Sequence, residues 1–298
     1  HPAVLAWAAR KPAGRGTWAV AFSGGADSLA LLRLLWAHWP ARRQKLVALH
    51  FNHRLRGRAS REDEIFCRRV CAALKVKFLS GRWQAARQGS SEAEARSARF
   101  QFFESKLRAL RSRALWFGHQ QDDIAETMLM RVARGSGTAG LAAPRPVQAM
   151  KAARAHLRPL LTLKKSEIIS ALREAGSLWR EDGTNFGDDF FRNRIRNAVL
   201  PAWRRAAADR DALGGAAQTR ELLEEDDAAL EAWLSEIEAL RADGALDLQR
   251  LAGRPRAIVR RALHRWLIVQ RQAGTLSRQG FDALLVAVEH GQPTRQSL

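Results

Sequence analysis

The stretch Thr17-Trp18-Ala19-Val20-Ala21-Phe22-Ser23-Gly24-Gly25-Ala26-Asp27-Ser28-Leu29-Ala30-Leu31-Leu32 decides the fold. Its first six residues form an apolar, partly β-branched run, the next six are small and polar, and the last four resume with a helical apolar pattern. A strand that passes through glycines into a helix makes an anion site. Gly24 and Gly25 reach conformations barred to other residues and admit a ligand to the backbone, while the new helix aims unpaired N–H groups at it. Ser23 and Ser28 add hydroxyl donors. An ordinary glycine turn with a helix cap is the simpler alternative, and the order of strand, loop and helix favours a phosphate loop over it. There is no Gly-Lys-Ser/Thr and no Gly-x-Gly-x-x-Gly, which separates the loop from nucleotide P-loops and dinucleotide folds.

Outward from this stretch, a helix over Ser28 to Trp39 stops at Pro40, and Leu46 to Phe51 gives a second strand. Residues 17 to 51 therefore form a βαβ unit with parallel strands, and the fold class is α/β. Asn52-His53-Arg54-Leu55-Arg56-Gly57 follows at a strand's carboxyl end, where open parallel sheets keep their ligands. Ser60 is expected to cap a helix over Arg61 to Leu74, and Val76 to Leu79 to form a third strand. Ser90 or Ser91 opens a helix that sets Glu92, Arg96 and Arg99 on neighbouring turns, either as a solvated face or at the sheet's ligand edge.

Ala114 to Phe117 is a fourth strand, followed by Gly118 to Thr127, which crowds His119, Asp122, Asp123 and Glu126 within about two helical turns. Acids so close are costly unless a positive charge sits between them, and magnesium or a substrate ammonium meets that need. Arg134 to Leu141 is a glycine-rich loop, Ala142 to Ala155 reads as mobile, Arg158-Pro159-Leu160-Leu161 as extended, and Leu163 to Ala175 as a helix ended by Gly176. Phe190 to Arg196 interleaves aromatics with arginines, suiting single-stranded RNA or a helix that packs Phe and Ile inward. From about Arg205 no strand candidate remains, so the domains are expected at 1–204 and 205–298. The second would hold an acidic helix over Glu221 to Leu240 and a basic one over Arg254 to Arg271 with Trp266 on its face.

The 298 residues carry 50 Lys and Arg against 30 Asp and Glu, a formal charge of +20 that favours a polyanionic partner over a neutral metabolite. Part of that surplus reflects general use of Arg at the surface. No run reaches membrane-spanning length and no signal-peptide pattern opens the chain, so a soluble, cytoplasmic protein is expected. Cys67 and Cys71 lie four apart on one helix face, too few for a zinc tetrahedron and no disulfide framework.

Ser23-Gly24-Gly25-Ala26-Asp27-Ser28 resembles the pyrophosphate loop of the ATP pyrophosphatase superfamily. The ordered set that continues through Glu94-Ala95-Arg96, Arg99-Phe100, His119 to Thr127, Arg134 to Gly137, Arg158 to Leu161, Asp182 to Asn185 and Arg192-Asn193-Arg194-Ile195-Arg196 resembles the tRNA(Ile)-lysidine synthetase family. The resemblance implies a parallel-sheet PP-loop domain, adenine nucleotide alpha-hydrolase-like, followed by a small all-helical domain. It implies a cytoplasmic ligase that uses ATP and Mg2+ to adenylate C2 of the wobble cytidine in a CAU-anticodon tRNA(Ile), then joins free L-lysine there. On this reading Ser23, Gly24, Gly25, Asp27 and Ser28 hold ATP and its pyrophosphate, with Asp27 on magnesium. Asp27, Arg96, Arg99, Asp122 and Asp123 are catalytic. His119, Asp122, Asp123 and Glu126 assist lysine or metal, and Arg134, Arg192, Asn193 and Arg196 contact tRNA, as does the basic helix of the second domain. No membrane partner is implied, and a homodimer is an allowed assembly. The rivals are a tRNA thiolase of the same superfamily, a small-molecule amidating synthetase and a catalytically silent RNA-binding paralogue.

Overall fold

Alternation with a period of two sorts the strand residues between two apolar layers. In β1 (Trp18–Ala21), Trp18 and Val20 enter one layer and Ala19 the other; in β2 (Leu46–Asn52), Leu46 and Ala48 oppose Val47 and Leu49. β3 (Lys77–Arg82) divides Phe78 from Leu79, and β4 (Ala114–Trp116) divides Ala114 and Trp116 from Leu115. Strands buried on both faces need cover on both, which helices supply.

The computed structural model describes residues 1–10, 16–54, 57–84, 91–181, 190–272 and 276–291. Helices α1 (Pro2–Ala9), α2 (Ala26–His38) and α3 (Arg58–Ala73) bring Val4, Leu31, Leu32, Leu35, Cys67 and Cys71 to the first layer. Helix α4 (Glu92–Ala109) covers the second with Phe103 and Leu107. Then come α5 (Gln121–Val132), the short α6 (Thr138–Leu141), β5 (Val147–Met150) and β6 (Arg154–Leu157). Helix α7 (Lys165–Glu174) returns to the first layer with Ile168 and Leu172. Tryptophans gather there too: Trp18 lies 4.6 Å from Trp116 and 5.3 Å from Trp39 between ring centroids.

Among the described residues six strands run in the order β3-β2-β1-β4-β6-β5, with every neighbouring pair parallel except β5 and β6. The chain builds outward from β1 to β3, then crosses to lay β4 on the other side of β1. That reversal opens a crevice at the carboxyl ends of β1 and β4, the place where such sheets bind ligands.

Three local expectations are corrected. In the stretch Ala142 to Ala155, expected to be mobile, Val147 onward builds the β5–β6 hairpin, whose turn places Ala152 at φ +59° and Ala153 at φ +53° without a glycine or asparagine to announce it. Arg158 to Leu161 is not an extended run: Pro159–Thr162 is a 3-10 turn with Pro159, Leu160 and Leu161 buried, and proline's fixed φ suits its first position. Helix α3 starts at Arg58 behind Gly57 (φ +50°), so Ser60 lies in its first turn, where its carbonyl accepts from Asn52 Nδ2 at 3.1 Å. As expected, α4 opens on a serine: Ser91 caps it through a reciprocal pair with Glu94. Ser90, Leu55, Arg56 and the Asp182 to Asn185 motif lie outside the described residues.

Helix α8 (Phe191–Arg194) continues through a π-helical stretch, Ile195–Val199, into α9 (Leu200–Ala206), and α10 (Ala212–Ile237) follows. The chain divides into two compact units, His1–Glu221 and Leu222–Leu298. Position 204 lies within the first, because Leu200, Leu213 and Ala216 pack with Ile124, Ala125 and Leu161. The second unit holds α11 (Leu248–Leu251), α12 (Arg256–Val269) and α13 (Arg278–Glu289), with Leu234, Ile258, Leu263 and Leu285 in its core. Trp266 turns toward that core, and its Nε1 donates to the Gly244 carbonyl at 3.0 Å instead of standing on an outer face. Among the described residues no helix is long and apolar enough to cross a membrane.

Candidate active site at the β1–β4 crevice

The glycine loop is folded around Ser28. Its Oγ accepts from the Ser23 and Gly24 N–H groups, both at 3.2 Å, and donates to the Gly25 carbonyl at 3.0 Å. Ser28 thus shapes the loop, whereas Ser23 stands exposed at its rim. Gly24 takes φ +91°, and a Cβ there would come within 2.9 Å of Cys67 Sγ, so α3 buttresses the loop from behind. The Gly24 carbonyl accepts from Arg180 N–H at 2.9 Å, and Arg180 Nε donates to Asp63 Oδ1 of α3 at 2.7 Å. Among the described residues no side chain caps α2, which leaves its first N–H groups directed at the crevice.

Across the crevice, Gly118 meets the same helix. A Cβ on Gly118 would lie 2.7 Å from the Asp27 carbonyl carbon and oxygen, an approach only glycine permits. This brings the two signature motifs into contact. Gln120 then caps α5, accepting from Asp122 N–H at 2.7 Å, while Asp123 accepts from Gln120 N–H at 2.9 Å.

The charge that separates the crowded acids comes from the chain itself. Glu126 is 1% exposed and accepts from Arg192 Nε at 2.7 Å and from Arg196 Nε at 2.6 Å. Arg192 also donates through Nη2 to Asp123. Burial pushes the Asp123 carboxyl up, but the charge of Arg192, joined by the Gln120 backbone N–H and the charge of Arg196, holds it below its ordinary value. Arg192 and Arg196 therefore face inward onto acids, and Asn193 between them is buried. Arg134, beyond the end of α5, is exposed and not gathered into this cluster.

Asp27 meets a residue the sequence reading passed over. Lys165 Nζ donates to both of its carboxylate oxygens at 2.7 Å, and Lys165 N–H donates to Asp122 Oδ2 at 3.3 Å. Burial raises the Asp27 carboxyl, with Lys165 pulling it back and the charge of Asp123 adding to the rise. Nothing local marks Lys165, a first-turn residue of an amphipathic helix 138 positions from its partner. Among the described residues no three His, Cys, Asp or Glu side chains converge as metal ligands. Asp27 fits magnesium only as a lone carboxylate beside phosphate oxygens, taken in exchange for Lys165.

His119 sits over Phe117, 5.4 Å between centroids, and its Nδ1 accepts from Arg158 Nε at 3.1 Å. Burial lowers its pKa to about 3; Asp123 opposes that shift, while Arg158, Arg192 and Arg99 deepen it. His156 falls to about 4 through burial, then through the charges of Arg158 and Arg96. Arg96 and Arg99 of α4 both stack near Phe100, and their charges act on His156 and His119 respectively. Cys67 and Cys71 are free and buried, and burial pushes both thiols up, Cys71 to about 12. They stay protonated at neutral pH, which disfavours sulfur transfer through them.

The profile of the PP-loop domain matches residues 6–203. The chain belongs to the PP-loop family. It is 40% identical over 229 residues to the tRNA(Ile)-lysidine synthase of Solibacter usitatus, covering 76% of this chain and 48% of the relative. It is 36% identical over 290 residues to the enzyme of that name from Symbiobacterium thermophilum, covering 91% and 58%. The chain therefore spans about half the length of the curated relatives it matches. Among solved structures, the U34-tRNA thiolase NcsA from Methanococcus maripaludis aligns with TM-score 0.58 over 74% of this chain and 76% of that one, at 16% identity, a likeness of PP-loop fold.

Proposed function

We propose that this PP-loop protein attaches lysine to C2 of the wobble cytidine in a CAU-anticodon tRNA(Ile), at the expense of ATP, as a cytoplasmic carbon–nitrogen ligase. The observation that carries the reading is the contact of Gly118 with the Asp27 backbone, which joins the phosphate loop to the acid-rich turn in one crevice. The relatives' names and the net charge of +20 point to tRNA as the large substrate.

In the first step the cytidine O2 attacks the α-phosphorus of ATP, and pyrophosphate leaves into the loop at Ser23 to Ser28. The first N–H groups of α2 take up its charge. A magnesium ion arriving with ATP would be held by Asp27 and would offset phosphate charge. Arg96 and Arg99 stabilise the activated cytosine from α4. In the second step the lysine amine bonds to C2, and AMP departs with the oxygen. A charged ammonium is no nucleophile, so a base must take its proton. Asp122 suits that role. Among the described residues its carboxylate accepts only from Lys165 N–H, whereas Asp123 and Glu126 are held by arginines.

Pyrophosphate release tests the first step. Release should require the cytidine-34 transcript, and Asp27→Ala should abolish it while leaving tRNA affinity nearly intact. A large loss of tRNA binding in Asp27→Ala would contradict the phosphate-loop role.

A further inference from the structure

His119 and Arg158 form a pair that the proposed chemistry does not use. Arg158 is 7% exposed, and each of its three nitrogens is engaged: Nε donates to His119 Nδ1 at 3.1 Å, Nη1 to the Arg145 carbonyl at 2.8 Å and Nη2 to Gln148 Oε1 at 3.0 Å. Gln148 belongs to β5, so the edge hairpin fixes the guanidinium plane. A guanidinium only donates, and the ring nitrogen it faces must therefore be the unprotonated one. A neutral imidazole then carries its single proton on the far nitrogen. No described residue bonds Nε2.

We infer that Arg158 is a positioning residue that fixes His119 as the Nε2–H tautomer, so that His119 donates to an oxygen of the ligand and does not receive a proton from the lysine ammonium. With the Nδ1 lone pair on Arg158 and a proton on Nε2, the ring has no basic site to offer. Its low pKa agrees, since the ring stays neutral throughout the physiological range. The acceptor class is a phosphate or carbonyl oxygen, both of which enter a crevice lined by α2 and the Gly118 turn. The ligand assignment rests on the proposed function, whereas the tautomer does not.

Nitrogen-15 NMR of the full chain, with the His119 ring assigned by loss of its signals in His119→Gln, measures the tautomer without substrate. At pH 7 the wild type should show Nδ1 bare and Nε2 protonated. Arg158→Met should populate the Nδ1–H form, and Gln148→Leu, which removes one anchor and is the milder test of folding, should shift the ring in the same direction. A wild-type ring protonated on Nδ1, or a folded Arg158→Met with the ring unchanged, would overturn the assignment. Calorimetry with a non-hydrolysable ATP analogue tests the donor role. His119→Gln keeps an N–H donor and should bind within about threefold of wild type, whereas His119→Ala should lose roughly tenfold. Equal affinity in all three proteins would refute donation to the nucleotide. Absence of lysine transfer in the wild type would sink the proposed function and leave the tautomer standing.

Discussion

Gly24 and Lys165 show how single residues set this crevice. Gly24→Ala meets two obstacles, a left-handed φ and the Cys67 sulfur 2.9 Å from the new Cβ. Thermal or urea unfolding should show a loss of about 1–3 kcal/mol. Adding Cys67→Ala should recover only part, because the backbone strain remains; complete recovery would mean that packing alone excludes a side chain. Lys165→Met leaves Asp27 without its cation. Since both side chains retain some exposure, 37% for Lys165 and 28% for Asp27, the loss should be about 1 kcal/mol. In a double-mutant cycle the change should largely disappear in the Asp27→Asn background, and an undiminished loss there would show that Lys165 acts elsewhere. The loop's glycines, serines and Asp27 were legible because they are local in sequence. The pairings of Lys165, Arg158 and Arg180 were not, because their partners lie 138, 39 and 117 positions away and helical or turn context gives no sign of them.

Two elements make the site only by touching. The turn after β4 reaches the first turn of α2 at Gly118, so Gly118→Ala must push α2 away from the strand ends. Affinity for an ATP analogue should fall at least tenfold, more than the change in stability alone would cause. A variant that binds normally would show that the crevice adjusts and that the contact is incidental. The parallel core could be read from short apolar runs, α4 from the serine that caps it, and α7 from its helical periodicity and the Gly176 stop, where Gly176 takes φ +57°. The β5–β6 hairpin escaped because its turn is Lys151-Ala152-Ala153, residues with no turn preference, held left-handed by the pairing of the strands they join. The acids of α5 were read as awaiting a ligand's charge. Arg192 and Arg196, about 70 residues on, supply it, and only the fold could reveal that.

At the scale of the molecule, buried histidines tie stability to pH. His119 falls to about 3 and His156 to about 4, and His50 is also lowered, in each case first by burial. Their unfolded values lie near 6.5, so below that pH the unfolded chain binds more protons than the folded one. The stability these groups contribute is present above about pH 6.5 and is lost as pH falls toward the folded values. Between pH 6.5 and 5, each contributes at most about 1.4 kcal/mol per pH unit. The carboxylates held low, Asp123 and Glu64, begin to act only nearer pH 4. Urea unfolding should therefore weaken from pH 7 to pH 5, and His156→Gln should flatten that dependence; a stability that rises toward pH 5 would contradict it.

The net charge of +20 would also make the proposed tRNA binding a salt-dependent association, and binding alone cannot separate the proposed enzyme from a silent RNA-binding relative. The most direct measurement is ATP-dependent incorporation of labelled lysine into a CAU-anticodon tRNA(Ile) transcript, beside the same transcript with uridine at the wobble position. Incorporation into the cytidine transcript alone is the expected result. Adenylation of the tRNA without uptake of lysine would contradict the amine donor, and absence of both would contradict the ligase reading.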